Sequence, residues 1–286
     1  MEILVSIWCA VYNHENFLRE TLNSFVSQKT SFCFEIIVHD DASTDASRII
    51  IEEYSEKYPD LFICIFQSEN QYNKTTLIPF FWEKTHGKYI ALCDGDDYWM
   101  DPLKLQKQVD FLEQNHEYSI LATGTRVIAE NANQLSVYSR DQKDFFFEDL
   151  IRENILGHST CSVVFRSNCL RSNKIETLSN APFGDWSLWL ICLSRGKGYF
   201  MPEVTACYRQ HSNGIWSSLN KETKVKKILQ MYDYMIKNYP ERRKEILSNR
   251  NKYKSKALKG NKDKIFLQSK KIWNKIRHII NKIVSK

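Results

Sequence analysis

The chain opens on an apolar run, ILVSIWC at residues 3–9, rich in the branched and aromatic side chains that suit a strand. Helical spacing follows: Phe17, Leu18, Leu22, Phe25 and Val26 recur at three- and four-residue intervals within residues 15–28. The pattern then returns to short continuous apolar runs, FEIIVHD at 34–40 and LFICIF at 61–66. The helical stretch between them opens on a Ser/Thr/Asp cluster, which suits a helix cap. A helix near 78–85 leads to a fourth run, KYIALC at 88–93. Strands alternating with helices predict right-handed crossovers and a mainly parallel sheet. Residues 100–115 predict another helix, with Asp101 as its N-cap and Pro102 in its first position. Further strands are expected at 118–129, 160–165 and 198–209, and an apolar helix at 185–193. From about residue 220 the strand signals stop and Lys-rich helical texture takes over, which sets a boundary there.

In an open parallel sheet, ligands bind beyond the carboxyl ends of the strands. Those ends are polar here. Tyr12 and Asn13 follow the first strand, Asp40 and Asp41 end the second, and Asp94, Asp96 and Asp97 follow the fourth. Three carboxylates so close repel one another, so the stretch CDGDDYW implies a cation among them or a wet turn. A hard divalent cation takes oxygen ligands, and magnesium accepts one or two carboxylates together with phosphate oxygens. An acidic turn of Asp and Gly explains the same letters, but the Asp pair at a second strand end favours a site. Asp40 and Asp41 fit either a strand end before a helix cap or carboxylates that accept hydrogen bonds from a nucleobase or ribose.

With 286 residues, 43% of them hydrophobic and 13% aromatic, the chain can bury a large core and is not a disordered sequence. No run of about 18 apolar residues predicts a membrane-spanning helix. The N-terminus, with Glu2 and no basic leader, reads as a first strand rather than a signal peptide. Eight cysteines without a C-x-x-C pair exclude zinc-ribbon and thioredoxin readings and suit reduced, structural, cytosolic thiols. Charge is uneven: residues 221–286 hold 21 Lys and Arg against 5 Asp and Glu, a balance of +16, while the rest of the chain carries −10. Within the basic part, residues 264–286 place Ile265, Ile272, Ile276, Ile279, Ile280 and Ile283 near helical spacing, with Trp273 and seven basic side chains around them. That reads as an amphipathic helix on an anionic membrane surface; the alternative is an ordinary helix packed on the catalytic domain or on a second subunit. A Rossmann oxidoreductase would need G-x-G-x-x-G after the first strand, and a P-loop kinase would need G-x-x-x-x-G-K-[ST]; neither occurs.

Four stretches in order resemble the inverting nucleotide-sugar glycosyltransferases of family 2: VSIWCAVYN, IIVHDDASTD, GKYIALCDGDDYWMDPLKLQKQVDFL and FGDWSLWL. The resemblance spans residues 3–215. It implies an α/β chain of the GT-A fold, a Rossmann-like, mainly parallel sheet flanked by helices with a C-terminal helical extension. Residues 1–219 would form the catalytic domain, nucleotide side about 1–100 and acceptor side about 101–219, and 220–286 a basic helical tail. By the same resemblance, Ala10, Tyr12 and Asp41, with Asp40 beside them, hold the nucleobase. Asp94 is the ribose-side acid and Asp96 the ligand of Mn2+ or Mg2+. Asp185 is the catalytic base, although its alternative is a helix N-cap. Asn13, Asp97, Trp186 and Arg209 are supporting residues. YRQHSNG at 208–214 is similar to a loop over the diphosphate, where His211 meets phosphate or metal, or is a surface histidine. Two positions depart from the family pattern: Gly184 stands where Glu commonly precedes the base, and Ala42 where Gly is more usual. The implied partners are a nucleotide-sugar, by default a UDP-sugar, and a glycan or lipid-linked saccharide acceptor, with no nucleic acid. The implied place is the cytoplasm, or the inner face of the membrane if the tail binds there. A nucleotidyl- or phosphotransferase built on the Asp cluster is the enzymatic alternative. A basic-tailed nucleic-acid binder is the non-enzymatic one, and the acidic body argues against it.

Overall fold

The first strand, β1 (Ile3–Val11), is buried on both faces from Val5 to Cys9, as a central strand of a parallel sheet should be. A computed structural model describes residues 2–258, apart from 73, 132, 142, 171–174 and 179. After β1, the chain alternates as its periodicity predicts: α1 (Leu18–Val26), β2 (Cys33–Asp40), α2 (Ser47–Lys57), β3 (Phe62–Phe66), α3 (Ile78–Lys84) and β4 (Tyr89–Leu92). There follow β5 (Tyr98–Trp99), α4 (Lys104–Gln114), β6 (Tyr118–Ala129), β7 (Gln134–Tyr138), β8 (Asp144–Phe145), α5 (Phe147–Arg152), β9 (Val164–Arg166), α6 (Ile175–Leu178), α7 (Gly184–Leu193) and β10 (Lys197–Gln210). The sheet runs β3-β2-β1-β4-β9-β6-β10-β5, with β7 beside β6 and β8 beside β10. β1 pairs in parallel with both β2 and β4, and β3 continues that direction beside β2. β9 enters antiparallel between β4 and β6, and β6 and β10 are parallel again. The result is an α/β sheet flanked by helices, with the carboxyl ends of β1, β2 and β4 on one side.

The chain divides into two compact units, Met1–Leu219 and Asn220–Lys286. In the second, α8 (Lys221–Asn238) is capped by Asn220, whose Oδ1 accepts from the Thr223 N–H at 2.9 Å. Met231, Tyr232 and Met235 are its buried face, and a further helical run covers 243–258. No helix among the described residues is long and apolar enough to cross a membrane. The amphipathic stripe expected at 264–286 lies outside the described residues.

Three local expectations are corrected. α4 begins at Lys104, with Leu103 in the capping position. Asp101 still serves its first turn, since its Oδ1 accepts from the Leu103 N–H at 2.9 Å, but Lys29 N–H takes the Pro102 carbonyl and holds 101–103 out of the helix. α2 likewise begins at Ser47, after Ala46, because the Asp45 carboxylate is shared between the N–H groups of Ser47 and Glu15. In 160–165, only the last residues are strand, and Thr160–Ser162 form a 3₁₀ turn.

Two features strain this frame and are testable. Ala42, in the turn after β2, has φ of 62°. A side-chain-bearing residue pays roughly 1–2 kcal/mol in that left-handed region, whereas glycine enters it freely. Ala42→Gly should therefore raise the unfolding free energy by about 1 kcal/mol in urea titrations, the gain being trimmed by glycine's greater unfolded-state freedom. Lys104 is fully buried; its Nζ donates to Gln108 Oε1 at 2.7 Å and lies 4.2 Å from the Trp99 ring centroid. Burial lowers its pKa to about 7, against partial offsets from Cys93, Cys161 and Asp101. The unfolded chain keeps this proton up to a pKa near 10.4. Between those values, the unfolded state binds more protons, so wild-type stability rises with pH. Relative to Lys104→Met, which does not titrate, the wild type should gain about 2 kcal/mol between about pH 7.5 and about pH 9.5, measured by urea unfolding.

Candidate active site

The acidic turn after β4 is tied to the first strand by backbone: Cys93 N–H donates to the Trp8 carbonyl at 3.1 Å, and Gly95 N–H to the Ala10 carbonyl at 2.8 Å. Thr21 on α1 seals it from below, donating its hydroxyl to the carbonyls of Gly95 and Asp97 at 3.0 and 2.6 Å. Only glycine fits at position 95, because a Cβ there would lie 2.8 Å from His14 Nδ1 and 2.9 Å from Val11 Cγ2. The spacing of D-G-D-D is thus the price of pressing the end of β4 against the loop that follows β1.

The three carboxylates meet different surroundings. Asp97 is buried, and its Oδ1 accepts from the Arg209 N–H at 2.9 Å. Burial, reinforced by the neighbouring Asp96 charge, raises its carboxyl well above the usual range. Arg209 also donates to the Asp96 carbonyl at 2.7 Å, pairs with Glu20, and lies over the Tyr98 and Phe17 rings. Asp96 is partly buried, with its Oδ2 3.0 Å from His211 Nε2 and 3.7 Å from His14 Nε2. Burial opposes its charge, but the His211 hydrogen bond and the two imidazoles outweigh it and hold the carboxyl below its ordinary value. Asp94 opens to solvent. The surrounding protein, then the charges of Asp96 and Asp185, push its carboxyl upward.

At the end of β2, Asp40 and Asp41 are both buried. Asp40 accepts weakly from the Ser43 N–H at 3.3 Å, and Asp41 Oδ1 accepts from the Gln71 N–H at 2.8 Å. Asn13 fastens the loops after β1 and β2 to one another, giving its N–H to Ser43 Oγ at 3.0 Å and accepting the Thr44 N–H at 2.8 Å. Tyr12 is 45% exposed. Hydrogen bonds thus join the ends of β1, β2 and β4, with Asp41 N–H on the Val11 carbonyl and Gly95 N–H on the Ala10 carbonyl, and bring Arg209 and His211 to the aspartates after β4.

Asp185 stands in the first turn of α7, near enough to Asp94 for its charge to push that carboxyl upward. It is not the N-cap, which is Phe183; its Oδ1 accepts from the Trp186 N–H at 2.6 Å and its Oδ2 from the Thr160 hydroxyl at 3.3 Å. Burial raises its pKa over the opposing hydrogen bonds from Trp186, Thr160 and Asn154. Trp186 turns inward instead, donating its indole N–H to the Leu150 carbonyl at 2.9 Å. His211 is buried rather than on the surface. Sequence reasoning passed over His14, Glu20, Thr21 and Thr160. His14 had a signal, since it follows Asn13 at a strand end already marked as polar.

Among the described residues, no set of three or more His, Cys, Asp and Glu forms a self-sufficient metal centre. Asp96 and His211 do fit a cation that takes its remaining ligands from phosphate and water, the habit of magnesium-like ions. Their shared 3.0 Å approach, with His14 Nδ1 buried and unpartnered behind it, is a donor set of one carboxylate and imidazole nitrogen.

Several known proteins share this architecture. An uncharacterized protein of Mycobacterium tuberculosis is 37% identical over 219 residues, a match covering 75% of this chain and 61% of that protein's length. TuaG of Bacillus subtilis, whose name places it in teichuronic acid biosynthesis as a glycosyltransferase, is 28% identical over 77% of this chain and 84% of its own. Among solved structures, Staphylococcus aureus TarS in complex with UDP-GlcNAc superposes with a TM-score of 0.63 at 17% identity, over 82% of this chain and 67% of that one. The mannosyltransferase PcManGT of Pyrobaculum calidifontis, in complex with GDP-Man and Mn2+, gives 0.59 at 15% identity, over 91% and 75%. The fold is GT-A. The model of Glycosyl transferase family 2 matches residues 6–171, more than half of the sequence and including both Asp-bearing strand ends, and the chain belongs to that family.

Proposed function

We propose that this protein moves a sugar from a nucleotide-sugar, with UDP-sugars the first donor class to test, to a hydroxyl of a growing glycan, with inversion at the transferred carbon. The observation that carries the reading is the contrast between two carboxylates: Asp96 lies 3.0 Å from His211 Nε2, while Asp185 is held by the Thr160 hydroxyl and the Trp186 N–H.

On the donor side, Asp41 accepts from the base, the Tyr12 ring covers it, and Asp94 accepts from the ribose. Asp96 and His211 hold a divalent cation, Mn2+ or Mg2+. When bound, such an ion offsets the charge that grows on a departing diphosphate. On the acceptor side, Asp185 takes the proton of the attacking hydroxyl, which is a poor nucleophile without such help. Thr160 and the Trp186 N–H fix the carboxyl, one on each oxygen. A single base opposite the leaving group suits direct displacement, so a second carboxylate nucleophile is not needed. TarS with UDP-GlcNAc and PcManGT with GDP-Man and Mn2+ support this assignment of donor and ion. Incubation with a panel of nucleotide-sugars and either ion, followed by nucleoside diphosphate release, tests the activity as a whole.

Asp96→Ala should abolish the Mn2+-dependent part of UDP binding in calorimetry while the melting transition persists. Unchanged affinity would move the cation elsewhere. Asp185→Asn keeps shape and removes the proton acceptor, so turnover should fall about 10²–10⁴-fold with donor binding intact. Only the deprotonated Asp185 can act, and its pKa is raised. The wild-type rate should therefore fall as pH drops through a midpoint above the usual carboxylate value of about 3.9, and the residual Asp185→Asn rate should lack that limb.

A further inference from the structure

Asn154 follows α5, and its carboxamide has two ends with opposite preferences. The Oδ1 end accepts from the Leu156 N–H at 3.3 Å. That turns the Nδ2 end, which can only donate, toward other acceptors. The acceptor it meets is the Asp185 carboxyl, to which the Asn154 side chain is hydrogen-bonded. A flipped amide would set its carbonyl against the carboxylate and its NH2 against the Leu156 N–H. Both neighbours therefore fix the same orientation.

The segment that delivers Asn154 is held by contacts of its own. Glu153 N–H donates to the Asp149 carbonyl at 3.0 Å, and Ser159 N–H to the Leu156 carbonyl at 2.8 Å. The Trp186 indole ties the Leu150 carbonyl to α7, and Leu150, Ile151 and Leu156 are buried. The 3₁₀ turn beyond is moored on β6, where Ser162 Oγ donates to the Thr123 carbonyl at 3.0 Å. None of these contacts uses the Asn154 side chain. Asp185 then has a donor on each oxygen, the Trp186 N–H on Oδ1 and the Thr160 hydroxyl on Oδ2, with Asn154 as a third. An ionised carboxylate offers about four acceptor sites, so three donors from three segments fix its plane and leave room for a hydroxyl. Donors aimed at the ionised form also favour it over the protonated one, against the burial that raises the Asp185 pKa.

We infer that Asn154 is a positioning residue for the proposed base: its amide N–H, aimed by the Leu156 N–H on its carbonyl, holds the Asp185 carboxyl in one orientation and favours the ionised form that takes the acceptor's proton. The inference rests on the proposed transfer reaction, in which Asn154 acts through Asp185. Other charged groups stand on the elements around α7. Asp94, after β4, is electrostatically linked to Asp185. Glu148, Asp149 and Arg152 lie on α5, Glu153 and His158 on the loop after it, Glu176 on α6 and Arg126 on β6. Cys161, in the 3₁₀ turn, is a thiol that burial pushes up and keeps neutral. Replacing the neutral Asn154 by alanine leaves all of these in place, so a change in the Asp185 titration then reads the lost donor.

The test uses the full chain with carbon-13 at the aspartate carboxyls, the Asp185 signal being identified by its loss in Asp185→Asn. Asn154→Ala removes the donor. Asn154→Asp keeps the shape and the acceptor for the Leu156 N–H but sets a second carboxylate against Asp185, and it carries the same readouts should the alanine variant not fold. The NMR titration midpoint of Asp185 should rise by about one pH unit in Asn154→Ala, the size expected of one hydrogen bond to a charged group, and further in Asn154→Asp. The acid limb of nucleoside diphosphate release, measured with UDP-sugars, Mg2+ and octyl glucoside as acceptor probe, should move by the same interval. Above that limb, kcat should fall about tenfold in Asn154→Ala as the carboxyl loses its fixed orientation. UDP affinity with Mg2+, read by calorimetry, should stay within about twofold of wild type. A role in folding alone would lower the melting temperature and leave both midpoints in place; that result overturns the inference while the transfer reading stands. An Asp185 midpoint that moves without the acid limb also overturns it, and shifts the base to another residue. A wild type that releases no nucleoside diphosphate from any nucleotide-sugar overturns the transfer reading and the positioning role together.

Discussion

Carboxylate repulsion at the end of β4 is the constraint around which this chain is organised. Asp94, Asp96 and Asp97 occupy four consecutive positions with one glycine between them, and in water that arrangement would simply spread apart. Here it cannot spread, because Gly95 is pinned to Ala10 and packed against His14. The rest of the site is a set of answers to that crowding. Arg209 faces it with a backbone N–H for Asp97 and a guanidinium for the Asp96 carbonyl. His211 and His14 flank Asp96. Burial pushes the Asp97 carboxyl well above the usual range, while the His211 hydrogen bond helps hold Asp96 below it. Neighbours of the same type are thus shifted in opposite directions by their surroundings.

The frame that holds this cluster was legible because the central strands are buried on both faces and read as continuous apolar runs, while α1 and α2 show their core faces at helical spacing. The strand ends were legible for a related reason: polar residues directly after a buried run have few places to go except the crevice. Helix starts were not legible at α2 and α4. Asp45 and Asp101 look like caps, and each does accept a nearby N–H, but tertiary hydrogen bonds from Glu15 and from Lys29 decide where the helix begins. The short strands β5, β7 and β8 carry too few residues to show a period.

Within the site, contacts between distant segments were the hidden part. Glu20 and Arg209 pair across 189 residues, and Thr160 and Asp185 meet from two elements that share no motif. Thr160 was read as strand because TCSVVF is apolar and branched. The 3₁₀ turn forms where the Thr160 carbonyl accepts the Val163 N–H and Ser162 bonds both Ser159 and Thr123, a tertiary choice that no local pattern announces.

β10 carries a consequence for how the molecule comes into being. It is the last strand of the sheet, and both Arg209 and His211 arrive with it, 112 and 115 residues after the aspartates that they serve. Closing so long a loop is slow and costs entropy before any contact repays it. A nascent chain that has emerged only as far as β9 holds its acidic turn without either partner. Its carboxylates then favour protonation or solvent, and of the two imidazoles beside Asp96 only His14 is present. The setting of the aspartates is therefore completed in one late event, when the final strand zips onto β6 and brings Arg209 and His211 to them.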